Sequence, residues 1–334
     1  MVYLITGATG YIGSLLIKRI IRTNEYMEGN VVIIGLVRNK EIAQRIYQYC
    51  KNDHLLFLEA DIRCIQYEDI QHFLFKSKIA HIDYLFHCAA TTKSSMMISN
   101  PVETADGIIL GTKNILETAK NLHIKSIVYL SSMEVYGRIA ENSNRVTEEM
   151  IGDVSILSLR SCYPLGKRMA ENYCFCYYSE YELPVKIARL AQVFGNGVLK
   201  TDTRIFAQIA RAVLNEEDII LHTAGDSFGN FIDADDAVDA LFLLLEKGKN
   251  GEAYNIVNEK NTMRIYEMAE LAAKHLGNGK TKVIYDIPEG NPYGYAVSTG
   301  LRLSGEKICN LGWHPKTNLI DMYRKTLREI TEYQ

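Results

Sequence analysis

The chain has 334 residues, 47% of them hydrophobic, and a formal net charge of −3. That length suits one domain with a smaller companion, and the near-neutral balance gives no reason to expect a nucleic-acid or acidic-membrane partner. No apolar run approaches the ~20 residues of a membrane span, and a first strand starting at Val2 leaves no room for a signal peptide. A cytoplasmic protein is expected. Seven cysteines, at 50, 64, 88, 162, 174, 176 and 309, are odd in number and show no Cys-x-x-Cys spacing. Cys174 and Cys176 are two apart on a predicted helix and so point to different faces. Reduced, mostly buried thiols and no metal site are expected.

Residues 2–5 form a short apolar run and helical periodicity starts at Ser14, so Gly7, Gly10 and Gly13 fall on a strand-to-helix turn. Gly7 allows the tight turn, Gly10 lets backbone approach a diphosphate, and Gly13 lets the helix lie close on the strand. With Thr9, Tyr11 and Ile12 they make a dinucleotide-binding fingerprint, the diphosphate resting on the helix N-terminus. Residues 31–37 read as a buried parallel strand. Its tip carries Arg38 and Lys40, where folds of this kind place an acid for the adenosine ribose. Arg38 either pairs with a 2′-phosphate, favouring NADP over NAD, or is a solvated surface arginine. A third strand, 55–60, is closed by Asp61 and Ile62; Asp61 either faces the adenine or caps the next helix.

The fourth strand, 84–87, leads into Cys88-Ala89-Ala90-Thr91-Thr92, whose alanines would let backbone pass under a cofactor. His87 reads as a packed core histidine, outside any mechanism. A helix is predicted over 101–122, with Gly107 and Gly111 on one face, and a fifth strand over 127–130. That strand ends in Ser131-Ser132-Met133-Glu134-Val135-Tyr136-Gly137, at the carboxyl end where doubly wound sheets gather their ligands. Residues 138–160 read as an irregular polar loop. An amphipathic helix follows from Tyr163-Pro-Leu-Gly-Lys167 to about Tyr181. Tyr163 and Lys167 share a face, one turn apart. Tyr47 and Lys51 have the same spacing but fall in an early helix near the adenosine end. A sixth strand spans 185–190, and Gly195-Asn196-Gly197 leaves the sheet. Beyond it the pattern mixes helices at 203–214, 235–246 and 266–276 with strands at 219–221 and 253–256. The fold class expected is α/β. A Rossmann-like doubly wound parallel sheet takes 1–188 plus about 230–257, and a smaller mixed α/β substrate domain takes 189–229 and 258–334.

In this order TGATGYIG (6–13), HCAA (87–90), SSMEVYG (131–137), YPLGK (163–167), RLAQVFG (189–195) and GNFIDADDAVDAL (229–241) resemble the extended short-chain dehydrogenase/reductase family. This is the NAD-dependent epimerase/dehydratase group that modifies nucleotide sugars, and the similarity covers nearly the whole chain. The resemblance implies catalytic Ser132, Tyr163 and Lys167, with Glu134 beside them. It implies cofactor contacts from the opening turn, Arg38, Asp61, Ile62, Ala89, Ala90, Thr91, Tyr163, Lys167 and Leu190. Substrate contacts fall to Thr92, Met133, Gln192 and Arg204. A phenol titrates near ~10; the Lys167 ammonium would lower that, so that Tyr163 takes a proton from a sugar hydroxyl as hydride leaves and returns it in reverse. Lys167 would also bond the nicotinamide ribose, and Ser132 would orient the reacting oxygen.

Four departures stand out. The Asp-Glu pair of the family's dehydratases is Met133-Glu134, which counts against dehydration. The arginine before the (D/N)-F-I segment is Gly229, the substrate-contacting asparagine is Gln192, and the tyrosine of F-I-Y is Asp233. Arg204 is then the candidate grip on a diphosphate. The reading is an NADP-preferring oxidoreductase of a nucleotide-activated sugar, a 4-keto-sugar reductase ahead of a 4-epimerase, decarboxylase or dehydratase. A reading of another class, a non-catalytic dinucleotide sensor, is opposed by the retained Tyr–Lys pair. By family analogy the chain pairs as a homodimer through helices 101–122 and 163–181.

Overall fold

The computed structural model describes residues 1–50, 53–139, 145–290 and 300–332; Lys51, of the pair with Tyr47, lies outside them. Strands β1 (Val2–Thr6), β2 (Val32–Val37), β3 (Leu55–Glu59), β4 (Tyr84–His87), β5 (Ser126–Ser132) and β6 (Val185–Leu190) alternate with helices. These are α1 (Tyr11–Ile20), α2 (Asn24–Met27), α3 (Lys40–Ile46), α4 (Tyr67–Lys76), α5 (Ser94–Ser99), α6 (Pro101–Asn121) and α7 (Cys162–Tyr181). The chain continues through β7 (Gln192–Phe194), α8 (Ile205–Leu214), β8 (Ile219–Leu221), β9 (Phe228–Gly229), β10 (Phe231–Asp233), α9 (Ala234–Lys247) and β11 (Ala253–Ile256). It ends with β12 (Met263–Arg264), α10 (Ile265–Leu276), β13 (Val283–Tyr285), α11 (Glu306–Cys309) and α12 (Leu319–Glu332).

The main sheet has the order β11-β6-β5-β4-β1-β2-β3, and the pairs running from β3 to β5 are parallel. This is a Rossmann-like α/β sheet. All five residues of β1 are buried, because a central parallel strand covered on both faces has no solvent side. Chain order reverses beside β1, whose neighbours are β2 and β4, which puts the switch point of the sheet at their carboxyl ends.

Contacts divide the chain into two compact units. The first holds Met1–Val135, Val154–Arg189 and Val238–Tyr254; the second holds Tyr136–Asp153, Leu190–Ala237 and Asn255–Gln334. In the first, α6 lies on α7: a Cβ on Gly166 would stand 3.5 Å from the Ile108 side chain, and the Tyr177 hydroxyl donates to Glu117 Oε2 at 2.9 Å. In the second, Phe194 stacks on Phe206 at 4.6 Å and meets Tyr323 of α12 at 5.1 Å.

The division differs from the sequence expectation at 136–153, 230–237 and 255–257, which belong to the second unit, and at Arg189, which belongs to the first. The reason for the first is Asn255. Its Nδ2 donates to the Val146 and Ser304 carbonyls, its N–H to Glu148 Oε1, and its Oδ1 accepts from the Tyr136 hydroxyl. Buried polar groups must be paired, so the stretch read as an irregular polar loop is drawn into that core, with Val146 fully buried. For 230–237 the tie is Asp233, fully buried and 2.7 Å from the Lys325 ammonium of α12.

Candidate functional site

The opening turn needs its glycines for two different reasons. Gly7 has φ +65°, and a Cβ there would lie 2.9 Å from the backbone of Ala89, so the turn after β1 touches the loop after β4. At Gly13 the conflict is steric: a Cβ would stand 2.3 Å from the Gly7 carbonyl oxygen. Gly10 is the extended N-cap of α1, which has no acidic residue in its first turn. The first N–H groups of a helix point out of its end, and the macrodipole makes that end positive. This cradle fits a diphosphate. Thr9, Tyr11 and Ile12 are half-buried around it.

Thr6 and His87 brace the cradle from below. Thr6 Oγ1 accepts the N–H groups of Cys88 and Ala89, each at 3.1 Å. With both lone pairs used, its proton goes to His87 Nδ1 at 2.7 Å. His87 therefore carries its proton on Nε2 and donates it to Thr112 Oγ1 at 3.2 Å. Burial, with the Lys167 charge adding to it, pushes the imidazole pKa down to about 3. The residue is neutral and structural. Ala89, Ala90 and Thr91 follow half-buried, whereas Thr92 is exposed.

At the adenosine side, Arg38 is exposed just past β2. Asp61 forms a two-point pair with Arg63 and accepts the Arg63 N–H at 2.9 Å; Arg63 first, and Arg38 more weakly, hold its carboxyl below the usual range. Asp61 thus closes its own turn, and the cap of the next helix, α4, is Gln66 instead. Ile62 turns inward, against Gly111 of α6, and its carbonyl accepts Asn114 Nδ2 at 3.0 Å.

The carboxyl end of β5 meets the first turn of α7. Ser132 Oγ accepts the Glu134 N–H at 3.2 Å in the 3₁₀ turn Met133–Tyr136. Tyr163 and Lys167 are both buried. The Lys167 ammonium donates to the Leu130 carbonyl at 2.6 Å, lies 4.8 Å over the Tyr129 ring and is 6.0 Å from the Tyr163 ring centre. Burial brings its pKa down to about 8, against the opposing pull of Glu171 one turn on. Glu171 is itself locked to Arg189 and accepts the Ser131 hydroxyl.

Arg160, inside the stretch read as a loop, grips Glu134 through both guanidinium nitrogens at 2.7 and 2.9 Å. No motif marks it; only the distance in space does. Both carboxylate oxygens of Glu134 are thus engaged as acceptors by Arg160.

Leu190, Gln192 and Arg204 belong to the second unit. Leu190 is buried and Gln192 pairs with Phe231 between β7 and β10. Arg204 pairs with Asp202 and lies 4.6 Å over the Phe206 ring, at the start of α8. Two other arginines flank the position of Gly229. Arg264 stands opposite Phe228 in the β9–β12 ladder, its guanidinium 4.8 Å over that ring, and Arg302 lies 5.4 Å from the same ring. Among the described residues no cluster could hold a metal, and no helix is long and apolar enough to cross a membrane.

A family model for the NAD dependent epimerase/dehydratase family matches residues 3–257. The chain belongs to that family of enzymes. It is similar to a dTDP-D-glucose 4,6-dehydratase of Dictyostelium discoideum, with 29% identity over 257 residues, 76% of this chain and 57% of that protein. The chain thus spans under two thirds of that relative's length. It is 27% identical over 316 residues to UDP-glucuronic acid decarboxylase 6 of Arabidopsis thaliana, covering 95% of this chain and 84% of the relative. Its fold matches a solved UDP-glucuronic acid 4-epimerase from Bacillus cereus, in complex with UDP-glucuronic acid and NAD. That match has a TM-score of 0.79, 21% identity and full coverage of both chains.

Proposed function

We propose that the protein transfers hydride at a sugar carbon of a nucleotide-activated sugar, as a 4-keto-sugar reductase. The observation that carries this reading is the fixed pairing of β5 and α7, with Lys167 tied to the Leu130 carbonyl one turn from Tyr163 and beside the Ser132 strand. A nicotinamide dinucleotide, when bound, supplies or accepts the hydride. Gly7, Gly10, Gly13 and the N-terminus of α1 would hold its diphosphate. Tyr163 donates a proton to the sugar oxygen during reduction and recovers it from solvent. Lys167, still an ammonium near neutral pH, favours the phenolate that this leaves behind. Ser132 holds the reacting oxygen. The comparisons support the nicotinamide and nucleotide-sugar class; Arg38 is the feature favouring NADP, and Arg204, Arg264 and Arg302 are the second unit's candidate cations for a diphosphate.

Glu134 separates reduction from dehydration. A dehydratase needs a proton donor for its leaving hydroxyl; Met133 cannot donate, and both Glu134 oxygens are taken up by Arg160. A 4-epimerase remains the second reading, since Ser132, Tyr163 and Lys167 serve oxidation and re-reduction equally well.

The test is a panel of UDP-, dTDP-, GDP- and CDP-sugars, including 4-keto forms, with NADPH and NADH followed by absorbance and products by mass. Reduction consumes dinucleotide; epimerisation inverts the sugar with no net change. Tyr163→Phe should lower turnover at least ~10³-fold, the upper part of the general acid–base range, with dinucleotide affinity within about threefold. Persistent turnover would remove Tyr163 from the chemistry.

A further inference from the structure

We infer that Tyr47 is a positioning residue for the diphosphate of the dinucleotide, acting through the peptide between Ala8 and Thr9; this rests on the cofactor reading above. Tyr47 ends α3 and is 5% exposed, and its hydroxyl donates to the Ala8 carbonyl at 2.6 Å across 39 positions of sequence. Ala8 is the second residue of the glycine turn and is fully buried. The Tyr47 ring stacks on Phe57 of β3 at 5.6 Å. Phe57 in turn fills the space over Gly35 of β2, where a Cβ would stand 3.0 Å from its ring and 2.9 Å from Ala8 Cβ. Phenol, phenyl ring and bare backbone thus form a fitted bed under the turn. Burial pushes the Tyr47 pKa up, with Cys50 and Cys88 adding to it, so the hydroxyl remains a donor at every working pH.

A planar trans peptide directs its C=O and the following N–H to opposite sides. Holding the Ala8 oxygen down on Tyr47 therefore turns the Thr9 N–H away from the core, outward from the bed. The turn has little else to fix that plane: Gly7 and Gly10 carry no side chains, and the turn's own bond, Gly10 N–H to the Gly7 oxygen at 2.9 Å, leaves the Ala8–Thr9 peptide between them unconstrained. A peptide already turned outward spares a bound anion the cost of ordering it.

The hydroxyl is removed by Tyr47→Phe in the full-length protein, and binding of adenosine, ADP and the nicotinamide dinucleotide is measured by calorimetry, with turnover at saturating dinucleotide. One hydrogen bond corresponds to about tenfold in affinity. The dissociation constants for ADP and the dinucleotide should rise about tenfold. Adenosine binding and kcat should stay within twofold. Phe57→Leu, which keeps the phenol, should cost ADP affinity less than threefold. Unchanged ADP binding in Tyr47→Phe, an equal loss for adenosine, or an equal loss in Phe57→Leu would each overturn the positioning role. A parent protein that binds neither ADP nor dinucleotide would instead sink the cofactor reading, and the positioning role with it.

Discussion

Two buried lysines in the first unit invite comparison, because burial does the same to both and the chain uses them differently. Lys167 is 3% exposed and Lys186 5%, and loss of water draws each ammonium down to about 8. Lys167 sits at the carboxyl end of β5, facing Leu130, with Glu171 one turn away. Lys186 sits in β6, where it donates to Ser126 Oγ at 2.7 Å, at the opposite end of β5, and to the Pro184 carbonyl at 3.3 Å. The difference teaches that a shifted pKa marks a desolvated group, and only its place in the sheet says whether chemistry follows. Carboxyl ends of parallel strands receive ligands; amino ends do not.

The largest effect that would sharpen the contrast is on turnover. Lys167→Met should cut kcat by ~10²–10⁴, since it removes the charge that steadies the Tyr163 anion. Lys186→Met should leave kcat within twofold in the same assay. Equal losses in the two variants would show that burial, not position, decides.

Adjacent serines on β5 offer a second, smaller contrast. Side chains alternate along a strand, and Ser131 donates to Glu171 while Ser132 lies in the Met133–Tyr136 turn. Ser132→Ala should lower kcat by about 10²-fold through loss of the oxygen that holds the reacting group. Ser131→Ala should leave kcat within twofold and cost about 1–3 kcal/mol of stability, by taking a donor from a buried carboxylate. If Ser131→Ala proved the more damaging to turnover, the face assignment at the strand tip would be wrong.

How far the sequence reached follows the range of its signals. The five strands of the first unit from β1 to β5 and their junction with α7 were legible because short apolar runs, glycines and a one-turn spacing are local patterns. Arg160 was not, since nothing near it in the chain points to Glu134. Tyr47 was visible only as a chance match to the Tyr–Lys spacing; its bond to Ala8 depends on how β2 and β3 carry α3 around the turn. Helix α12 was missed although its buried residues Leu319, Met322, Tyr323, Thr326 and Ile330 keep helical spacing, because charged residues dominate the segment between them. Arg204 was legible as a cation but not as one already committed to Asp202, which lies two residues upstream.

The smallest expected effect isolates Lys186 itself, through the pH dependence of stability. Its folded pKa, about 8, lies below the ordinary lysine value of 10.5, so between those limits the unfolded chain binds more protons than the folded one. Its burial therefore costs stability most below pH 8, and the cost fades as pH rises toward 10.5. At 1.36 kcal/mol per pH unit of displacement, the cost is on the order of 3 kcal/mol, offset in part by the bonds to Ser126 and Pro184. Lys186→Met removes the charge and leaves Ser126 still donating to the Leu245 carbonyl. Urea midpoints of the parent and this variant should differ most at pH 7, with the variant the more stable, and the gap should narrow steadily as pH rises from 8 toward 10.5. Taking the difference cancels Lys167 and the buried tyrosines, which titrate identically in both proteins. Parallel curves across that range would mean that Lys186 keeps an ordinary pKa in the folded state, and the two lysines would then differ in environment as well as in use.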